Sequence, residues 1–232
     1  SKFGQVNNVN QHASDFGTFN SITSGFEVAM RAQFGRGGLL QGGVSSDRTT
    51  YNACLTELGA NPMAPEPAAA ALPGAVRRLP ASECKLVEPF SKQLQVKFSG
   101  VYPLPWWGLQ TSAVFQGMPG PANFATYNVP TALIAPSLGR NLAAGAAGTV
   151  TINIIEPGSL YSDRVNQLDL RASRTFRSGR TRIKAMVDLY NSMNSNAVID
   201  WNSTYGTNGA AWLQPRTVLV PRFLKFGLQL DF

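Results

Sequence analysis

The C-terminus carries the clearest pattern in the chain. From Leu224 onward the even positions are Leu224, Phe226, Leu228, Leu230 and Phe232, and the odd ones are Lys225, Gly227, Gln229 and Asp231. Alternation with period two describes a strand with one apolar and one polar face. The same pattern sets Leu168, Leu170, Ala172 and Phe176 against Gln167, Asp169, Arg171, Ser173 and Thr175, with Arg174 breaking the apolar face once. It returns in Ile183, Ala185, Val187 and Leu189 against Arg182, Lys184, Met186 and Asp188. Earlier, Phe26, Val28, Met30, Ala32 and Phe34 alternate with Glu27, Ala29, Arg31 and Gln33. Leu40, Gly42 and Val44 form a weaker segment, followed by Leu94, Val96, Phe98 and Tyr102, and then by Leu109, Thr111, Ala113 and Phe115. These runs predict strands over about 25–34, 38–48, 92–102, 108–117, 165–176, 181–190 and 218–232.

The spacing between these strands alternates. Breaks near 35–37, 103–107 and 177–180 are tight, and Pro103 and Pro105 exclude a central strand through the second of them. The connections at 49–91, 118–164 and 191–217 are long and rich in Pro, Gly, Ala, Ser and Asn. Structureless loops of that length are uncommon inside compact soluble domains. An outer-membrane β-barrel has this rhythm, with short periplasmic turns, long extracellular loops and strands of about 9–11 residues. With the tight turns periplasmic, the last strand runs inward and Phe232 ends at the periplasm. Phe34, Tyr102, Trp106, Trp107, Phe176 and Phe232 then fall near the periplasmic ends, and Phe26, Phe115 and Tyr190 near the other, as two aromatic girdles require. A soluble antiparallel sandwich shows the same alternation, but it has no reason to sort loops or aromatics this way.

Composition narrows the class further. The chain has 232 residues and a formal charge of +7, with only 14% charged residues against about 25% in a typical soluble domain. No uninterrupted run of 18 apolar residues exists, because Pro73, Pro136 and Arg140 interrupt the nearest candidates, so a transmembrane helix is excluded. Ser1-Lys2-Phe3-Gly4 lacks the apolar core of a signal peptide, so the expectation is a processed or partial chain.

Several stretches resemble one family. Gly25-Phe26-Glu27-Val28, Gln95-Val96-Lys97-Phe98-Ser99-Gly100, Phe115-Gln116-Gly117-Met118-Pro119-Gly120-Pro121 and Ser137-Leu138-Gly139-Arg140 are among them. So are the run from Asp163-Arg164-Val165 to Leu170-Arg171, Val187-Asp188-Leu189-Tyr190-Asn191 and the closing Phe226-Gly227-Leu228-Gln229-Leu230-Asp231-Phe232. Together they resemble the C-terminal barrel of TonB-dependent receptors, particularly the Oar-like ones that carry a carboxypeptidase-regulatory-like domain. The resemblance implies an all-β fold: an antiparallel up-and-down transmembrane barrel, here about seven strands of a larger, 22-stranded one. Residues 1–24, with the single His12, then form an extracellular loop segment, and 25–232 the C-terminal part of the barrel. The implied function is binding and import of a scarce nutrient in the outer membrane of a Gram-negative bacterium. The implied partners are the rest of the receptor (its plug and other strands), the TonB system, the barrel-assembly machinery, and outer-membrane lipid or lipopolysaccharide. Phe226, Leu228, Leu230 and Phe232 look like the signal read by the assembly machinery. The alternatives are a small closed barrel, with an eighth strand hidden in residues 1–24, serving as adhesin or structural anchor, and a secreted sandwich module.

Candidate chemistry is sparse. In a barrel, Glu27, Arg31, Lys97, Asp169, Arg171, Arg182, Lys184 and Asp188 would face the lumen, as a mutually satisfied charge lattice or as part of a substrate path. Cys54 and Cys84 fall in the first long loop, and an oxidising extracellular site favours a disulfide there, contributing roughly 3–4 kcal/mol in the chain-entropy model. One His and two Cys cannot supply a closed tetrahedral metal shell. No Gly-x-Ser-x-Gly elbow, phosphate loop or acid–base pair is present, so the reading is a non-enzyme without cofactor. The Lys and Arg residues are dispersed rather than gathered in a nucleic-acid module.

Overall fold

The computed structural model describes residues 12, 20–52, 84–206 and 208–232. The chain divides into two compact units: Ser1–Thr23 with Thr49–Val87, and Ser24–Arg48 with Glu88–Phe232. In the first unit, the hydroxyls of Thr23 and Thr49 are hydrogen-bonded at 2.9 Å. Cys84 there is buried, while its expected partner Cys54 lies outside the described residues.

The second unit is built on an antiparallel sheet. The sheet's strands are β1 (Asn20–Phe34) and β2 (Gly38–Asn52), of which Ser24–Phe34 and Gly38–Arg48 fall in this unit, then β4 (Gln95–Pro103), β5 (Leu109–Met118), β8 (Val165–Ser178), β9 (Thr181–Tyr190) and β12 (Phe223–Asp231), hydrogen-bonded in that order. A short β3 (Lys85–Glu88) also pairs with β2. Every neighbour along the path follows its predecessor in the chain once the insertions between strands are set aside, which is up-and-down topology. Among the described residues the path does not close, and β1 and β12 are its edges.

Register converts the alternation of each strand into two continuous faces. One row runs Leu40, Gly100, Ala113, Leu170, Leu189 and Leu224; the next runs Tyr102, Thr111, Ala172, Val187 and Phe226. Between them, on the opposite face, lies the row Val101, Ser112, Arg171, Asp188 and Lys225. A one-residue slip anywhere would mix the two sets. Gly43 lets β1 approach closely: a Cβ there would lie 2.6 Å from the Val28 carbonyl oxygen and 3.1 Å from Ala29 Cα.

Several predicted boundaries move. The first strand begins at Asn20, inside the 1–24 segment expected as a loop, and β2 runs to Asn52 rather than ending near 48. The strand expected over about 92–102 starts at Gln95, because Phe90–Gln93 form a helical turn, α1, entered from Pro89. The strand expected over 218–232 starts at Phe223, because Pro215–Val218 forms β11, which pairs instead with β10 (Val198–Trp201) in a separate sheet. Pro221 cannot donate to a ladder, so the two strands do not merge. The connection 118–164 holds a hairpin, β6 (Thr126–Pro130) with β7 (Thr149–Asn153), and a helix, α2 (Thr131–Leu138). Gly139, at φ +71°, ends that helix and donates its N–H to Ala135 O at 2.9 Å.

The sheet buries few apolar side chains. The buried apolar residues among those described are only Cys84, Ala125, Val165 and Ala197, whereas Ser46, Ser173, Asp188 and Asn191 are among the buried polar ones. Val28, Phe226, Leu228 and Leu230 are 66%, 75%, 65% and 54% exposed. No helix among the described residues is long and apolar enough to cross a membrane, which leaves strands untouched.

Candidate functional site

The polar face of the sheet carries the charged side chains that the alternation singled out. Arg171 donates from Nε and Nη2 to the two carboxylate oxygens of Asp188, the second at 3.0 Å, and Lys225 stands opposite the same carboxylate on β12. The aspartate is nearly fully buried while the Arg171 side chain is 46% exposed, so water reaches the pair from the arginine side. Asp169 accepts from Gln167 Nε2 and from the backbone N–H of Asn191 at 2.8 Å. Lys184 stands between Thr175 and Gln229, and Arg182 between Arg177 and Asp231. Lys97 lies between Gly43 and Gln116. Arg31 lines, with Gln41, Lys97, Ser99 and Gln116, a groove of about 720 Å³. Glu27 has the same parity on β1 as Arg31. Of the eight, Arg171 and Asp188 meet in an ion pair; the rest are distributed along the face.

At the long-loop end, the connections 118–164 and 191–222 are joined to one another. Thr126 N donates to Ser203 O and Tyr205 N donates to Thr126 O, both at 2.8 Å. Trp212 Nε1 donates to Phe124 O at 2.9 Å, and Ala125 between them is fully buried. The hydroxyl of Thr131, at the start of α2, donates to Gly145 O at 2.9 Å. These contacts satisfy backbone groups that an irregular segment would otherwise leave without partners.

Asn191 holds the loop to the strand ends. Its Nδ2 donates to Ser195 O and Val220 O at 2.9 Å, and its Oδ1 accepts from Ser195 N at 2.9 Å. It is 2% exposed and sits at φ +46°, a conformation asparagine tolerates better than most residues. Its own N–H reaches Asp169, so two stretches that carry the family resemblance are bonded to each other. Sequence reasoning did not assign these roles to Asn191, Thr131 or Trp212. The one local signal was the Tyr190-Asn191-Ser192 step, where alternation stops at an asparagine.

Asp47, Glu88, Lys92 and Tyr161 form a second polar cluster. Burial, and then the nearby Asp47 charge, push the Glu88 carboxyl above its ordinary range. Burial, and then Glu88, push the Tyr161 phenol upward as well. Lys92 Nζ lies over the Tyr161 ring, 5.2 Å from its centroid.

The aromatics gather toward both strand ends, with one exception to the expected girdles. A Cβ on Gly38 would collide with the rings of Phe34 and Tyr102, so these pack over the glycine at the tight-turn end, where Trp106 and Trp107 are also exposed. Phe26 and Phe90 lie 6.0 Å apart at the other end. Tyr190 stacks on Phe223 at 4.7 Å, but its parity with Asp188 places it on the polar face rather than in an apolar girdle. On the edge strand β12, Phe226, Leu228 and Leu230 are exposed, as is Phe232 just beyond it.

His12 is exposed, and the described residues contain no cluster of three or more metal-ligating side chains. No protein-family model, curated protein or solved structure matches the chain.

Proposed function

We propose that this chain is the C-terminal barrel portion of an Oar-like TonB-dependent outer-membrane receptor, which binds and imports a scarce nutrient. One observation carries the reading: an up-and-down antiparallel sheet sets apolar rows that include exposed Leu170, Val187, Leu224 and Phe226 on one face and the Arg171–Asp188 ion pair on the other. Soluble monomers rarely expose contiguous apolar patches beyond a few hundred Å². Lipid is the solvent that suits such a face. The nine residues of β12 extend about 30 Å at roughly 3.3 Å per residue. Tilted by about 45°, that is roughly 21 Å of depth, close to the apolar band of about 25 Å in outer-membrane barrels. The joined long loops would then be extracellular, and the charged polar face would line the lumen against the plug. We assign the open edges to the remaining strands of the barrel, because an unpaired edge in lipid is costly. In the same reading Cys54 and Cys84 are disulfide-bonded outside the cell.

The test is heat-modifiable gel migration with intact mass, made on protein extracted from native outer membranes. The expected result is a fast-migrating folded form whose mass is far above 24.9 kDa. A folded barrel at the chain's own mass would replace transport by the anchor reading. Partition into buffer without detergent would exclude both. Deleting Phe232 from the full-length receptor is expected to lower its surface level severalfold; unchanged surface labelling would remove the assembly role of the terminus.

A further inference from the structure

Arg174 is out of place on the sheet. It projects from the apolar face, with Leu109 opposite on β5 and Ala185 opposite on β9. It is exposed and has no acidic partner among the described residues. Its guanidinium lies over the ring of Phe176, 4.7 Å from the centroid. Phe176 is the next residue on that face toward the tight turn, so the stacking shows which way the arginine points. The turn it points to carries Arg180, and Leu109 opposite it directly follows the turn bearing the exposed Trp106 and Trp107.

We propose that Arg174, stacked on Phe176, binds the phosphate of a phospholipid headgroup at the tight-turn end of the apolar face, with Arg180 as a second cation. The proposal rests on the membrane reading above and assigns a ligand to one place in it. Arg174 lies four residues before the end of β8 at Ser178, about 13 Å along the strand and roughly 9 Å in depth once tilted. A long side chain directed turnward covers most of that distance and brings its charge to headgroup level. There the planar guanidinium offers paired N–H donors to phosphate oxygens, while its face remains on the ring. Trp106 and Trp107 mark the same level, where amphipathic rings settle. The phospholipid leaflet, rather than lipopolysaccharide, is the one met at a periplasmic end.

The experiment is native mass spectrometry of the detergent-extracted, full-length protein titrated with phosphatidylglycerol. Wild type is expected to retain one lipid about tenfold more tightly than Arg174→Gln, the scale of a charge-assisted hydrogen bond. Phe176→Leu is expected to show a smaller loss, and Lys184→Gln, on the polar face, none. Equal retention by wild type and Arg174→Gln would overturn the proposal. So would displacement of the lipid by inorganic phosphate at equal concentration, which would make the site one for free anions. Heat-modifiable migration of each variant confirms folding, and Phe176→Leu keeps the test open where Arg174→Gln fails to fold. Failure of wild type itself to migrate as a barrel would count against the membrane reading, whereas a folded barrel indifferent to Arg174 would count against this proposal alone.

Discussion

In the main sheet, Phe226, Leu228 and Leu230 are exposed while Ser173 and Asp188 are buried. In the joined connections 118–164 and 191–222, the buried residues are small or amide-bearing: Ala125, Ala197, Asn123, Thr131 and Asn191. The sheet is ordered by a ladder that any alternating sequence can make, so its side chains are free to meet the surroundings on each face. The loop assembly has no such ladder across most of its length. It is held by individual side chains that reach backbone groups far away in sequence, as Trp212 reaches Phe124. One region therefore tolerates substitution that preserves polarity, and the other tolerates very little at a few positions.

The largest expected effect falls on the second region. Asn191→Ala removes three side-chain hydrogen bonds and leaves alanine in a left-handed conformation. At about 1 kcal/mol for each bond and about 1 kcal/mol for the backbone, the loss is roughly 4 kcal/mol. Denaturant unfolding in detergent, followed by limited proteolysis within 191–222, would register it; an unchanged midpoint would show that the loop assembly does not depend on this residue.

The sheet is probed next by Leu228→Arg, paired with Gln229→Arg on the neighbouring polar position. Facing lipid, the first costs about 3 kcal/mol and the second close to nothing. In water the two would be nearly equal and small. Equal effects in a bilayer refolding titration would break the contrast between the faces.

Trp212→Phe is a milder cut at the loop assembly. It removes the bond to Phe124 O while keeping an aromatic ring near Tyr205, and is expected to cost about 1 kcal/mol. Amide hydrogen exchange at 122–127 and 202–206 would rise together if the two connections open as one. Exchange confined to one of them would show that they are only adjacent.

The smallest effect is one of sign. Because Glu88 has a raised pKa in the folded protein, its contribution to stability is fully present below its ordinary value near 4.5 and is lost as pH rises through the higher folded value. Glu88→Gln, which cannot ionise, is expected to protect the 85–93 amides more than wild type at pH 8, with the difference vanishing below pH 4.5. A difference that grows on acidification would mean that the carboxylate is paired rather than penalised.

The legibility of the molecule in its sequence divides along the same line. Alternation reaches from Leu168 to Phe176 and from Leu224 to Phe232 because each strand residue is exposed to one of two environments, and period two records which. The tight turns and the order of neighbours came from spacing. The strand expected over 218–232 was misplaced at its start because Pro215–Val218 is itself extended and reads as continuous with Phe223–Asp231. Its pairing with β10, together with Pro221, separates the two. The links of Asn191 to Asp169 and Val220, and of Thr126 to Ser203, join residues with no periodic relation, so no local pattern announces them.

Sequence alone determined the seven long strands of the main sheet, their faces and the alternation of short and long connections, since these depend on local polarity and on where prolines and glycines interrupt it; the short strands inside the connections left no such pattern. Tertiary structure decided the register that aligns the faces, the ion pair of Arg171 with Asp188, and the joining of two loops through side chains that reach groups 77 to 88 residues away. Those depend on which groups are brought within about 3 Å of each other, and a linear order of residues does not contain that distance.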